Sequence, residues 1–200
     1  MLDYTFDLSH KNENVRIICG VDEAGRGPLA GPVVAAACIL PDDFYLEGLN
    51  DSKKLTENKR EKLFDIIIEN AVDFSIAMAS VDEIEEINIL NAAMLAMKRA
   101  IDGLNIKPDL ALIDGNTSRG FTMPTKTVVG GDAKSPSIAA ASILAKVTRD
   151  RMCYEFDKEF PEYGFAKHKG YGTKVHMEAI KKYGVTPIHR RSFLKFLNDD

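Results

Sequence analysis

The sequence predicts an α/β fold: one domain over residues 1–200, with a core from about 15 to 157 and a helical C-terminal extension from about 158 to 200. Two observations carry this expectation. Short apolar runs with both parities filled, as in strands buried on two faces, alternate with stretches of helical periodicity. Three of those runs end in acids beside glycine, the composition of a buried strand opening onto a site at the carboxyl end of a sheet. No internal repeat or flexible linker interrupts the pattern.

Composition narrows the class. The 200 residues are 45% hydrophobic and 28% charged, ordinary for a globular protein with a substantial core. Cys19, Cys38 and Cys153 are widely spaced and odd in number, so neither a metal motif nor a disulfide framework is indicated, and a cytoplasmic chain is expected. The acidic start, Met1 to Asp7, is not a signal peptide, and no run approaches the roughly 20 apolar residues of a membrane span. The net charge of −4 is unevenly spread. Residues 1–144 carry 14 basic and 22 acidic residues, whereas residues 145–200 carry 12 basic and 8 acidic. An acidic body with a basic final quarter fits a metal site flanked by a polyanion-binding surface, or simply a solvated basic face.

The first strand, Ile17 to Val21, runs into Asp22-Glu23-Ala24-Gly25-Arg26-Gly27-Pro28. Adjacent acids here are either a solvated strand end or ligands for a hard divalent cation. Gly25 and Gly27 let the backbone approach a phosphate or sugar closely, and Arg26 adds charge. Successive strand side chains point to opposite faces, so both acids serve one site only if the chain bends here. Val33 to Leu40 is a second strand forming a hairpin with the first. A polar loop holding Ser52, Lys53 and Lys54, phosphate-binding in type or plain surface, precedes a helix N-capped by Thr56 and running to about Asn70.

Val72 to Ser80 reads as a third strand. A long helix follows from about Asp82 to Asp102, with Ile84, Ile87, Leu90, Met94, Met97 and Ile101 on one stripe. Leu110 to Ile113 delivers Asp114 beside Gly115, and Thr125 to Val129 delivers Asp132 behind Gly130-Gly131. Three strand ends thus offer Asp22, Glu23, Asp114 and Asp132, acids that repel one another unless a cation or proton intervenes. Ser135-Pro136 opens another helix, whose polar side gathers Ser142, Lys146, Arg149 and Asp150 within about 100°, as a solvated or a phosphate-contacting face. Lys167-His168-Lys169-Gly170-Tyr171-Gly172 sets an aromatic ring between glycines among basic residues, suited to stacking on a base or sugar, or else an inward-packed turn. Short helices near Lys174 to Tyr183 and His189 to Leu197 close the chain, and the His189-Arg190-Arg191-Ser192 cluster between them is suited to anchoring phosphate or capping a helix.

Val21 to Ala37, Asp51-Ser52-Lys53-Lys54-Leu55, Ile113-Asp114-Gly115-Asn116, Gly131-Asp132, the helix from Ser137 to Asp150, and His168 to Thr173 together resemble bacterial ribonuclease HII, in family order from about Ile17 to Phe193. The resemblance implies a ribonuclease H-like fold, a mixed five-stranded sheet flanked by helices. It implies that Asp22, Glu23 and Asp114 bind metal and that Asp132 is the fourth active-site acid. Gly25, Arg26 and Gly27 would sense the ribose 2′-hydroxyl together with Tyr171. Ser52, Lys53, Lys54, Ser142, Lys146, Arg149 and Lys169 are further candidates for substrate contact. The related ribonuclease HIII proteins differ at the arginine position and carry an extra N-terminal domain; Arg26, and only about 16 residues before the first strand, favour HII.

The expected activity is endonucleolytic cutting of RNA in RNA–DNA hybrids and 5′ of single ribonucleotides embedded in duplex DNA, leaving a 3′-hydroxyl and a 5′-phosphate. Two Mg²⁺ or Mn²⁺ ions about 4 Å apart would activate water and stabilise the charges that develop. Hybrid and ribonucleotide-containing duplexes are the expected partners of a monomer, with no membrane and with a weak contact to replication machinery left open. Another metal-dependent nuclease of the same fold, or a non-catalytic hybrid-binding module, are the alternatives.

Overall fold

The short apolar runs pair into one sheet in the computed structural model, which describes residues 2–49, 52 and 55–197. The strands are β1 Ile18–Ala24, β2 Val33–Ile39, β3 Asp73–Ala79, β4 Leu110–Asp114 and β5 Thr125–Val128, in the order β3-β2-β1-β4-β5. β1 pairs antiparallel with β2 and β2 with β3, whereas β1–β4 and β4–β5 are parallel. The expected mixed five-stranded sheet is therefore present, and β1, β4 and β5 all point their carboxyl ends the same way.

The helices are α1 Glu57–Asn70, α2 Val81–Asp102, α3 Pro136–Glu159, α4 Phe165–His168 and α5 Lys174–Tyr183. The hydroxyls of Thr56, Ser80, Ser135 and Thr173 cap four of them by accepting amides of the first turn, and Ser80 completes a capping box with Glu83. α2 covers one face of the sheet, packing Ala92, Ala96 and Met97 against Cys19, Val21 and Ala35. α1 and α3 cover the other, with Leu63, Ile67, Ala140 and Leu144 against Ala36 and Cys38. Small side chains in β2 and α3 bring these layers close. At Gly20 the approach is closest: a Cβ there would lie 2.1 Å from the Ile138 amide nitrogen. The C-terminal segment builds a separate cluster from Tyr163, Phe165, Ala179, Ile180 and Leu194 on Ala30.

Three expectations change. The helix from Asp82 is interrupted at Asn88, whose φ of 66° and ψ of 164° break the turn while its Oδ1 accepts the Leu90 and Asn91 amides and recaps the second half. Asparagine competes for local backbone donors in this way, a cue that hydrophobic spacing does not register. The helix expected over His189 to Leu197 is two 3₁₀ turns, Arg191–Phe193 and Lys195–Leu197, because His189 is drawn into a bridge with Ala30 and Arg190 into the interior. The polar side of α3 is not a solvated face: Ser142, Arg149 and Asp150 are buried beneath neighbouring segments.

Gly20→Ala must push α3 off β1 against backbone atoms. Urea unfolding is expected to show a loss of about 3 kcal/mol in stability, the range of overpacked cores.

Candidate active site

Parallel pairing fixes the first two acids. Val21 lies opposite Ile113 in the β1–β4 register, so Asp22 and Asp114 are the next residues on adjacent strands. Alternation puts Asp22 on the α3 face with Gly20, and Glu23 on the α2 face with Val21. β1 keeps its register with β2 through Ala24 opposite Val34, so the two acids stay on opposite faces. The cleft instead wraps the strand end and collects both faces. It encloses about 470 Å³ and is lined by Asp22, Glu23, Gly25, Arg26, Gly27, Ser52, Ile89, Ser142, Lys146, Arg149 and Tyr171, with Ala24.

Local donors hold the acids. The Glu23 amide donates to Asp22 Oδ1 at 2.7 Å, and the Gly131 amide to Asp114 Oδ1 at 2.7 Å. Asp132 is buried in the 3₁₀ turn Gly131–Ala133 just beyond β5. Glu23 Oε1 accepts from Arg26 Nη1 at 3.3 Å. The Ser142 hydroxyl bonds Asp22 and lies 2.9 Å from the Ser52 hydroxyl. Burial, and then the charges of Glu23 and Asp114, push the Asp22 carboxyl well above its ordinary value; the Ser142 hydroxyl and Glu23 amide offset only part of this. These coupled oxygen donors have the chemistry that hard divalent ions require. Among the described residues no group of three His, Cys, Asp or Glu side chains is placed to hold a metal ion by itself. Magnesium-type sites are open in this sense, with one or two carboxylates per ion and the rest of the shell from water and phosphate.

Behind the acids, the loop from Gly25 to Pro32 is held by two buried arginines. Arg190 donates to the carbonyls of Gly25 (2.7 Å), Arg26 (3.1 Å), Pro28 (2.9 Å) and Gly31 (2.8 Å). Its own amide donates to Leu29 O at 2.8 Å. Arg149 donates to Ala30 O at 3.1 Å and Pro32 O at 3.4 Å. Every carbonyl from Gly25 to Pro32, Gly27 apart, thus accepts from one of these residues. Burial, and then the Arg149 charge, push the Arg190 guanidinium down to about 9, so it stays charged at neutral pH. Gly25, at φ 99°, leaves no room for a side chain: a Cβ would meet Arg149 Nε at 2.1 Å. The Tyr171 ring packs over Gly27, with Cε1 3.5 Å from where a Cβ would stand, and is 47% exposed.

The sequence-derived candidates divide accordingly. Asp22, Glu23, Gly25, Arg26, Gly27, Ser52, Ser142, Lys146 and Tyr171 meet in the cleft, with Asp114 and Asp132 at adjoining strand ends. Lys146 is partly exposed and pairs with Asp150 at 2.6 Å. Arg149 touches the cleft, but its bonds to Ala30, Pro32 and Lys169 carbonyls make it a brace for the loop rather than a contact for phosphate. Lys169 is turned away, its ammonium 3.6 Å above the Tyr154 ring centroid and bonded to Ala166 O. Lys53 and Lys54 lie outside the described residues. Arg190 was legible only as part of a basic cluster suited to phosphate or a helix cap; its burial depends on contacts 159 to 165 residues away in sequence.

Comparison with known proteins agrees with this geometry. The family described as Ribonuclease HII matches residues 19–196. The chain is 61% identical over 90% of its length to a ribonuclease HII of Acetivibrio thermocellus, covering 70% of that protein. It is also similar to the crystal structure of ribonuclease H2 from Pyrococcus horikoshii, with TM-score 0.75, 30% identity, and coverage of 92% of this chain and 98% of that one. A PCNA:RNase HII complex structure from Archaeoglobus fulgidus matches with TM-score 0.76 and 25% identity over 90% of this chain and 95% of that one.

Three histidines lie beneath Tyr171. The Thr186 amide donates to His189 Nδ1 at 3.0 Å, which places the His189 proton on Nε2. That proton is shared with His176 Nε2 at 3.1 Å, so His176 Nδ1–H donates to Tyr171 O at 2.9 Å. His168 stacks on His176 at 4.3 Å. Burial pushes His176 and His189 down to about 4 each, the latter helped by His176. Because the unfolded chain binds these protons near pH 6.5 and the folded one only near 4, stability is full above 6.5 and lost as pH falls toward 4. The melting temperature is expected to drop across that window, and His176→Asn to flatten the drop.

Proposed function

The chain belongs to the ribonuclease HII family, and on that premise we propose that it cuts RNA in RNA–DNA hybrids and 5′ of single ribonucleotides embedded in duplex DNA, leaving a 3′-hydroxyl and a 5′-phosphate. The observation that carries this reading is the single cleft in which strand-end carboxylates meet a glycine loop and an exposed aromatic ring. Phosphodiester hydrolysis calls for the first, and recognition of one sugar among many for the other two.

Asp22, Glu23, Asp114 and Asp132 are the residues that would hold two Mg²⁺ or Mn²⁺ ions. When bound, the ions supply water activation and stabilise charge on the phosphoryl and leaving oxygens. The chain's own groups do the rest. Ser142 and the Glu23 amide orient Asp22, and the Gly131 amide orients Asp114. Ser52 and Lys146, with Lys53 and Lys54 of the same loop, supply hydroxyl and cationic contacts for backbone phosphates. The Gly25 to Gly27 backbone meets the ribose 2′-hydroxyl, the group that separates RNA from DNA, while Tyr171 packs on the adjoining sugar. A cytoplasmic monomer fits this role, and among the described residues no helix is long and apolar enough to cross a membrane. A weak contact with replication machinery belongs to the same reading; the Archaeoglobus ribonuclease HII forms a complex with PCNA.

Asp22→Asn and Asp114→Asn are expected to lower cleavage by about 10⁴-fold, the loss typical of an obligatory catalytic group. In metal-free buffer Asp22→Asn should raise the melting temperature, since it removes a desolvated charge beside two others. The assay is an end-labelled duplex holding a single ribonucleotide, with the cut mapped in Mg²⁺ and in Mn²⁺. Near wild-type cleavage by either variant would overturn the site, and equal cutting of an all-DNA duplex would overturn the substrate.

A further inference from the structure

We propose that Arg190, on the far side of the Gly25–Pro32 loop from the substrate, is the positioning residue that sets ribose discrimination. The inference rests on the reading that the Gly25–Gly27 backbone meets the 2′-hydroxyl, and it adds what makes that backbone a reader.

In a trans peptide the carbonyl of one residue and the amide of the next point in opposite directions. Arg190 receives the Gly25 carbonyl on Nη2 at 2.7 Å and the Arg26 carbonyl on Nη1 at 3.1 Å. Two successive carbonyls directed at one guanidinium turn the two following amides, those of Arg26 and Gly27, away from it. Both residues are exposed and line the cleft, so those amides face it. Adjacent backbone N–H groups aimed at one point form a small oxygen-binding concavity, and the positive φ of Gly25 is what such a turn requires.

Only arginine suits the position behind this turn. Its planar fork of five N–H groups reaches the four carbonyls at once, whereas a lysine ammonium offers three donors from a single point. Arg190 is 0% exposed and so cannot itself touch a duplex. Its amide bond to Leu29 O and the Gly31 amide bond to Ile188 O fasten the loop to the C-terminal segment. Leu29 N in turn donates to Gly170 O at 2.8 Å, next to Tyr171, so the ring and the amides share one support. Discrimination would therefore be set by a residue 163 positions beyond Gly27 that makes no substrate contact.

The test compares Arg190→Lys with Arg190→Gln, which keeps one amide donor group in case the lysine variant does not fold, and with Gly27→Pro. Gly27→Pro deletes one reading amide. Each protein, checked for folding by circular dichroism, is assayed on duplexes differing only in a 2′-hydroxyl or 2′-fluoro group at the junction. Binding to the ribonucleotide-containing and all-DNA duplexes is measured in Ca²⁺. The Arg190 variants are expected to lose about 100-fold in hydroxyl-over-fluoro preference, the scale of a 1 Å misplacement, mainly in kcat, with all-DNA binding unchanged. Gly27→Pro should lose the preference too. An unchanged preference in a folded Arg190 variant, with rates lowered equally on both duplexes, would overturn the role of Arg190. Preference retained by Gly27→Pro would overturn the underlying reading of the loop.

Discussion

Parallel pairing of β1 with β4 is the constraint from which the site follows. Once Val21 stands opposite Ile113, the next residues on each strand, Asp22 and Asp114, are neighbours about 4.8 Å apart across the sheet whatever else the chain does. Two carboxylates so close, one of them buried, oppose folding unless donors compensate. The donors are local: the Glu23 and Gly131 amides and the Ser142 hydroxyl. Ser142 reaches Asp22 only because Gly20 lets α3 lie against β1, so the packing of helix on sheet and the electrostatics of the acids are one requirement.

The loop after β1 solves a different problem. Eight residues with few regular hydrogen bonds must pass beneath the C-terminal segment, where unpaired carbonyls would be costly. Two buried arginines, Arg149 from α3 and Arg190 from the tail, take those carbonyls in place of carboxylates. Burying a guanidinium is expensive unless its N–H groups are well used, and carbonyl dipoles use them without adding negative charge beside the acids. A carboxylate partner at either position would have enlarged the repulsion at Asp22. The positive φ values of Gly25, Gly31 and Gly170 belong to the same arrangement, each at a place where Arg149 or a carbonyl presses close.

How much was legible in the sequence divides along the same line. The strands, the order of most helices and the four acids announced themselves, because burial on both faces and acids at strand exits are local patterns. Asn88 was missed because its side chain recaps α2 without disturbing the apolar stripe. Arg149 and Asp150 looked like part of a solvated or phosphate-contacting helix face since helical geometry puts them opposite the core; what buries them comes from other elements, the Lys169 carbonyl of the later segment and the Arg60 side chain of α1. Arg190 looked like part of a surface basic cluster for the same reason. Contacts fixed by residues 20 to 165 positions distant leave no periodic trace.

Charge distribution in the cleft shows why these non-local contacts matter. A nucleic-acid strand brings phosphates toward four acids, an unfavourable meeting unless cations stand between them. One side of the cleft offers fixed cations: Arg26, held to Glu23 at 3.3 Å, and Lys146. Lys146 is bonded to Asp150, an acid that alone would cancel it. Asp150 is, however, shared with Arg60 at 3.5 Å and has a side chain only 3% exposed, so the trio carries one net positive charge and shows the cleft its lysine. The other side, at the ends of β1 and β4, presents carboxylates and, on the proposed reading, would gain attraction for phosphate through divalent ions. On the proposed reading the two sides would divide the work, fixed cations gripping the flanking backbone and exchangeable ones serving the phosphate that is cut.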